Sequence, residues 1–98
     1  MHNRIGVVGI ILEDPEKDVH AVNEVLHRYS HIIIGRMGIP YRNRGVSVIA
    51  LTVDGSNDEI GAMTGKLGQL KSVSVKTALA PVKSSDSIDK TGSERKSL

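Results

Sequence analysis

Between Arg4 and Ala80 two kinds of apolar spacing alternate, and nothing else in the chain limits its folding as much. The order is strand-like, helix-like, strand, strand, helix-like, strand, with almost no residues to spare between them. Ile5 to Leu12 puts Ile5, Val7 and Ile11 on one side of an extended chain and Val8, Ile10 and Leu12 on the other. A strand apolar on both faces is expected to lie inside a sheet with cover above and below. Gly6 and Gly9 leave gaps in it where other groups can approach closely.

Glu13-Asp14-Pro15-Glu16 then reads as a helix start, with Asp14 as N-cap, Pro15 at N1 and Glu16 near the positive helix end. Val19, Val22, Leu26 and Tyr29 form its apolar stripe, widened by Val25, and the helix is expected to stop near Tyr29 or Ser30. Ile32-Ile33-Ile34 is a β-branched run and predicts the second strand. Gly35 to Gly45 reads as the end of that strand followed by a hairpin loop, punctuated by Gly38, Pro40 and Gly45. Val46 to Val53 predicts a third, central strand. Asp54-Gly55-Ser56 reads as a tight turn, and Ser56-Asn57-Asp58-Glu59 as a capping box. Ile60, Met63, Leu67 and Leu70 give the core stripe of a second helix, and Val73 to Ala78 an edge strand.

This order specifies an α+β, ferredoxin-like βαββαβ domain over residues 1–80. Right-handed crossovers put both helices on one face of an antiparallel sheet ordered 4-1-3-2. Residues 81–98, mostly Ser, Lys and other polar residues, are expected to form a disordered polar tail. The second sheet face stays uncovered and carries roughly several hundred Å² of apolar surface, close to the limit for a soluble monomer. A homo-oligomer, dimer or tetramer, is the simplest cover. Ile5, Val7, Val8 and Ile10 are the strand residues expected to serve it.

The second helix adds Gly61, Gly65 and Gly68 on one side, about opposite its core stripe. Each glycine costs a helix about 1 kcal/mol relative to alanine. Close packing against a second copy gives them a purpose, and close approach to a ligand is the alternative.

With no Cys in its 98 residues, the chain has no disulfides, thiolate metal ligands or cysteine nucleophiles. That fits a cytoplasmic location, as does the lack of a signal-peptide pattern or a long apolar run. A formal net charge of +2 does not by itself argue for nucleic acid, and two aromatic residues are too few for an RNA-stacking platform. No Ser sits on a nucleophile elbow beside a base, so no catalytic residue is expected.

Arg36, Tyr41, Arg42 and Arg44 gather in the predicted hairpin loop, where guanidinium groups beside glycine backbone suit a phosphate or carboxylate and Tyr41 suits a planar ligand. Pairing with acidic groups of a neighbouring subunit would use the same residues. His20, Glu24 and His27 share an outward helix face; Glu24 and His27 have the spacing of half a carboxylate-bridged metal site, which only oligomerisation could complete. No metal is assigned to them, and a metal-sensing oligomer with His and Glu ligands between subunits stands as an alternative function. A direct nucleic-acid binder using the loop arginines is another.

Val7-Val8-Gly9-Ile10-Ile11, Gly35-Arg36-Met37-Gly38-Ile39-Pro40-Tyr41-Arg42, the stretch from Asp58 to Gly68 and Val73-Ser74-Val75-Lys76-Thr77-Ala78 occur in an order that resembles the iron-only hydrogenase system regulator family. The resemblance runs from about Arg4 to Ala80. It implies a module similar to ACT regulatory domains and to the C-terminal domain of the nickel-responsive repressor, which pair through their sheets and often bind a small effector between subunits. A regulator linked to iron-only hydrogenase maturation or expression is the function it implies. The chain shows no ribbon-helix-helix segment ahead of the first strand and lacks the cysteine and clustered histidines of that nickel site. DNA contact is therefore expected only through a separate DNA-binding domain.

Overall fold

The computed structural model describes residues 3–81, so all but the first residue of the expected tail lies outside the described residues. Six principal elements follow in the expected order: β1 (Arg4–Leu12), α1 (Pro15–Arg28), β2 (Ile33–Tyr41), β3 (Val46–Gly55), α2 (Asn57–Gly68) and β4 (Val73–Leu79). Short 3-10 turns, Ser30–Ile32 and Arg42–Arg44, link α1 to β2 and β2 to β3. The strands lie in the order β2-β3-β1-β4, all antiparallel, which is 4-1-3-2 read from the other edge.

The core lies between one face of this sheet and both helices. Val8, Ile10 and Leu12 of β1, Ile49, Leu51 and Val53 of β3, Val22 and Leu26 of α1, and Ile60, Met63 and Leu67 of α2 are buried together. Val8 and Ile10 are fully enclosed beneath the helices. They hold the protomer together and are unavailable to a second copy, which corrects their expected place in an association surface. A two-faced strand offers both sides in sequence, but only the odd-numbered side, Ile5, Val7 and Ile11, stays open.

Local chemistry accounts for most boundaries. Ser56 caps α2: its Oγ accepts from the Glu59 backbone N–H at 3.1 Å, and the Glu59 carboxylate accepts from the Ser56 N–H at 3.1 Å. The side chain of Asp14 makes no such bond; instead its backbone carbonyl accepts from Lys17 and Asp18, each at 3.1 Å. The following proline biases Asp14 toward an extended backbone, and a proline at N1 leaves one fewer amide to cap. Asp54 and Gly55 continue β3 instead of turning, because β1 begins at Arg4 and pairs with Gly55. A side chain at Gly55 would come within 2.9 Å of Ile32 Cγ2, so glycine is what lets the 3-10 turn close over the end of the sheet. Gly6 likewise leaves room for Leu79, whereas the space beside Gly9 is open.

The second strand departs furthest from expectation. It begins at Ile33 and runs to Tyr41, taking in most of the segment read as a loop, and Gly35 to Tyr41 each have a partner on β3. Pro40 is tolerated because β2 is an edge strand. Only Arg42–Arg44 and Gly45, at φ 69° in the left-handed region, make the connection.

Candidate functional site

β2 carries a bulge. Ile33 pairs with Val53 and Gly35 with Thr52, so Ile34 is one residue too many. Unbroken alternation would put Ile33, Met37, Ile39 and Tyr41 on one face. The extra residue reverses the phase. Ile33 packs on the core, while Met37, Ile39 and Tyr41 pair with Ala50, Val48 and Val46 and face away from the helices. Arg36, paired with buried Leu51, turns toward the helix side.

The open face is therefore continuous. Ile39, Val48 and Ile11 form one row across three strands; Met37, Ala50 and Gly9 form the next, ending on Lys76; Gly35, Thr52 and Val7 form a third, ending on Ala78. Val7 and Met37 are more than half exposed, and Ile5, Ile11, Ile39 and Tyr41 more than 40%. Polar groups sit at the rim, with Ser74 and Lys76 on β4 and Asp54 beside Ile5. Among the described residues no element covers this face.

The four expected ligand residues do not form one cluster. Tyr41 belongs to the open face. Arg42 and Arg44 lie in the exposed 3-10 turn, and their side chains make no hydrogen bond or ion pair to another described residue. Arg36 donates from Nη2 to Asn23 Oδ1 of α1 at 3.1 Å. Sequence spacing groups these residues because the strand in a hairpin reads like its loop when it contains two glycines and a proline.

Gly61, Gly65 and Gly68 are exposed on α2, and a Cβ at each would meet nothing within 4 Å. His20, Glu24 and His27 are exposed on α1, and among the described residues no three or more His, Asp and Glu side chains converge as a metal would require. Two features were not anticipated. His31 Nε2 lies 3.1 Å from Glu59 Oε2, tying the α1–β2 turn to the cap of α2 across a largely exposed surface. The Ser56 backbone N–H, and after it His31, hold the Glu59 carboxyl below its ordinary value of 4.5. Asp18 lies on the buried stripe of α1, 7% exposed, and its Oδ2 has no hydrogen-bond partner among the described residues. A position four residues before Val22 and eight before Leu26 could have flagged it, since all three fall on one helix face.

An antiparallel βαββαβ sheet with both helices on one side defines a ferredoxin-like module. The chain belongs to the TM1266-like family, described as "Iron-only hydrogenase system regulator, putative", whose profile matches residues 4–77. The uncharacterized protein TM1266 from Thermotoga maritima is 41% identical, with TM-score 0.79 over 82% of this chain and all of that one. Two more distant structures share the fold alone. One is the nitrogen regulatory PII-like protein CPII from Thiomonas intermedia K12, 15% identical, TM-score 0.54, over 81% of this chain and 91% of that one. The other is a formyltetrahydrofolate deformylase from Pseudomonas putida KT2440, 11% identical, TM-score 0.56, over 79% of this chain and 29% of that one. No curated protein matches the chain. Among the described residues no helix is long and apolar enough to cross a membrane.

Proposed function

We propose that the chain is a non-enzymatic regulatory module of an iron-only hydrogenase system that works as a homo-oligomer assembled through the open face of its sheet. Family membership supports the regulatory role. The observation that carries the assembly is the row structure of that face: the bulge at Ile34 turns Met37, Ile39 and Tyr41 out to join Val7 and Ile11 on one continuous apolar surface. These side chains are about half exposed, so burying the rest is worth about 1 kcal/mol each, a favourable term on both copies set against the cost of association. Exposed Gly61, Gly65 and Gly68 on the opposite layer offer a second contact, by which dimers become a tetramer. Tyr41, Arg42 and Arg44 sit at one end of the face, where two copies meet, and are placed to hold a small anionic effector between them. In this reading contact with DNA belongs to another component.

Native mass spectrometry of the untreated protein over a concentration series tests this. Dimers or tetramers at micromolar concentration are expected. A monomer throughout that range, in protein shown to be folded, overturns the proposal.

A further inference from the structure

Along its helix side, β2 overhangs α1 and leaves a cleft at the end of α1. The cleft is about 530 Å³, within the usual size of small-molecule sites. Its polar groups are Asn23, His27, Ser30 and Arg36, its apolar floor is Leu26, Ile33 and Ile34, and no carboxylate lines it. Arg36 reaches it only because of the bulge; in an unbroken strand the guanidinium would lie on the other face of the sheet. Its hydrogen bond goes to the neutral Asn23 side chain, and among the described residues it has no ion-pair partner. With Asn23 Oδ1 so engaged, the amide nitrogen is left to donate. Bulges commonly re-aim a side chain beside a site, and here the re-aimed side chain is a cation over an apolar floor.

We infer that this cleft binds a small carboxylate with a short aliphatic tail. The guanidinium of Arg36 takes the carboxylate in paired hydrogen bonds, a geometry its planar fork fits and an ammonium does not. The Asn23 amide and the Ser30 hydroxyl supply further donors. The tail lies on Ile33, Ile34 and Leu26. Gly35, whose missing side chain would point to the open face, lines the cleft with its backbone. Another cleft argues for this choice by contrast. It measures about 470 Å³ and sets Glu13, Asp14 and Glu16 against Arg42 alone, so within one chain it offers an anion no net positive charge, unlike an effector site shared between the arginines of two copies. The site is complete within one chain and stands apart from the assembly proposed above.

The test is titration of the full chain with hexanoate, followed by amide chemical shifts and calorimetry, with hexanol and inorganic phosphate as paired controls. Hexanoate is expected to move the amides of Asn23 to Ser30 and Ile33 to Arg36. Hexanol and phosphate, each lacking half the recognition, should bind at least about tenfold more weakly. Arg36→Gln should lower hexanoate affinity about tenfold or more, the loss of one charge-assisted pair. Asn23→Asp, at an exposed position that leaves folding intact, should do the same by occupying the guanidinium internally. Lys71→Gln, at an exposed cation that does not line the cleft, should change nothing. Equal binding of hexanoate and hexanol, shifts confined to Val7, Met37 and Ile39, or full affinity in folded Arg36→Gln and Asn23→Asp would each overturn the inference.

Discussion

Gly9→Glu separates the stability of the protomer from its assembly. Gly9 lies in the middle of the open face, between Ala50 of β3 and Lys76 of β4, and a Cβ there meets nothing within 4 Å. In the isolated protomer a side chain at this point should help. Replacing a strand glycine recovers about 0.5–1 kcal/mol of backbone entropy. A cross-strand carboxylate opposite Lys76 adds a few tenths more, at roughly 0.2–1 kcal/mol for such pairs. The dilute protein should therefore melt about 4–8 °C higher, the shift that 1 kcal/mol gives a domain of this size. In the oligomer the same carboxylate and Lys76 must leave water together, at an effective cost of several kcal/mol per ion that their attraction repays only in part. A net penalty of about 3 kcal/mol weakens association more than about a hundredfold. Sedimentation velocity across a concentration series reads the association, and a melt on dilute protein reads the protomer. A higher melting temperature with lost assembly is the expected pair. Undiminished assembly of the more stable variant would show that the open face is not where copies meet.

Gly65→Ala, where a Cβ again has open space, should stabilise the dilute protomer by about 1 kcal/mol in a thermal melt. At high concentration native mass spectrometry should show fewer tetramers than wild type; an unchanged distribution would remove the glycine face from the assembly. Asp18→Ala should raise the denaturant midpoint by about 1 kcal/mol in stability, since an unpartnered buried carboxylate costs about 1–3 kcal/mol and its favourable place in the first turn of α1 returns less than that. A fall in stability would mean that Oδ2 has a partner. The Glu59 carboxyl is held below 4.5 in the folded chain, so its contribution is present at neutral pH and is lost as pH falls through the depressed value. Glu59→Gln should therefore be less stable than wild type at pH 7, with the difference closing in acid melts well below pH 4.5. A difference that persists unchanged into acid would refute the titration argument.

The helices and the two central strands were readable because each carries a period that only one structure satisfies. Val22 and Leu26 cannot share a face in a strand, and Val8, Ile10 and Leu12 cannot share one in a helix. Ser56 and Glu59 announced their own box, whereas Asp14 looked like a cap on residue type alone while the proline after it governed the backbone. β2 was misread because its signals conflict. Two glycines and a proline mark a turn, and they do so equally on an edge strand whose outer backbone needs no partner. The side-chain phase of that strand was beyond the sequence altogether. Nothing in Ile33-Ile34-Gly35 says which isoleucine is the extra residue, because the bulge is set by pairing with Thr52 and Val53 almost twenty residues further on. Val8 and Ile10 were legible as core or as interface, and only the side on which the helices landed decided between them.

One extra residue in an edge strand therefore settles the character of both sheet faces. If Ile34 instead took a place in the ladder opposite Thr52, with the pairing of Ile33 and Val53 kept, every later residue would shift by one partner; Met37, Ile39 and Tyr41 would turn toward α1 and Arg36 would project from the open face. The apolar surface would lose its β2 third, and the cleft its cation. Self-association and anion binding thus share a structural cause without sharing a residue: the first uses the odd positions after the bulge, the second the guanidinium at position 36. β2 is also the principal strand least fixed by burial, every residue after Ile33 being exposed, so its register is held by the ladder to β3 and not by the core. A ligand that engages Arg36 and packs on Ile34 would brace that bulge, and with it the phase that presents Met37 and Ile39 to a second copy. The two surfaces can therefore be coupled through the strand between them, with no movement of the helices.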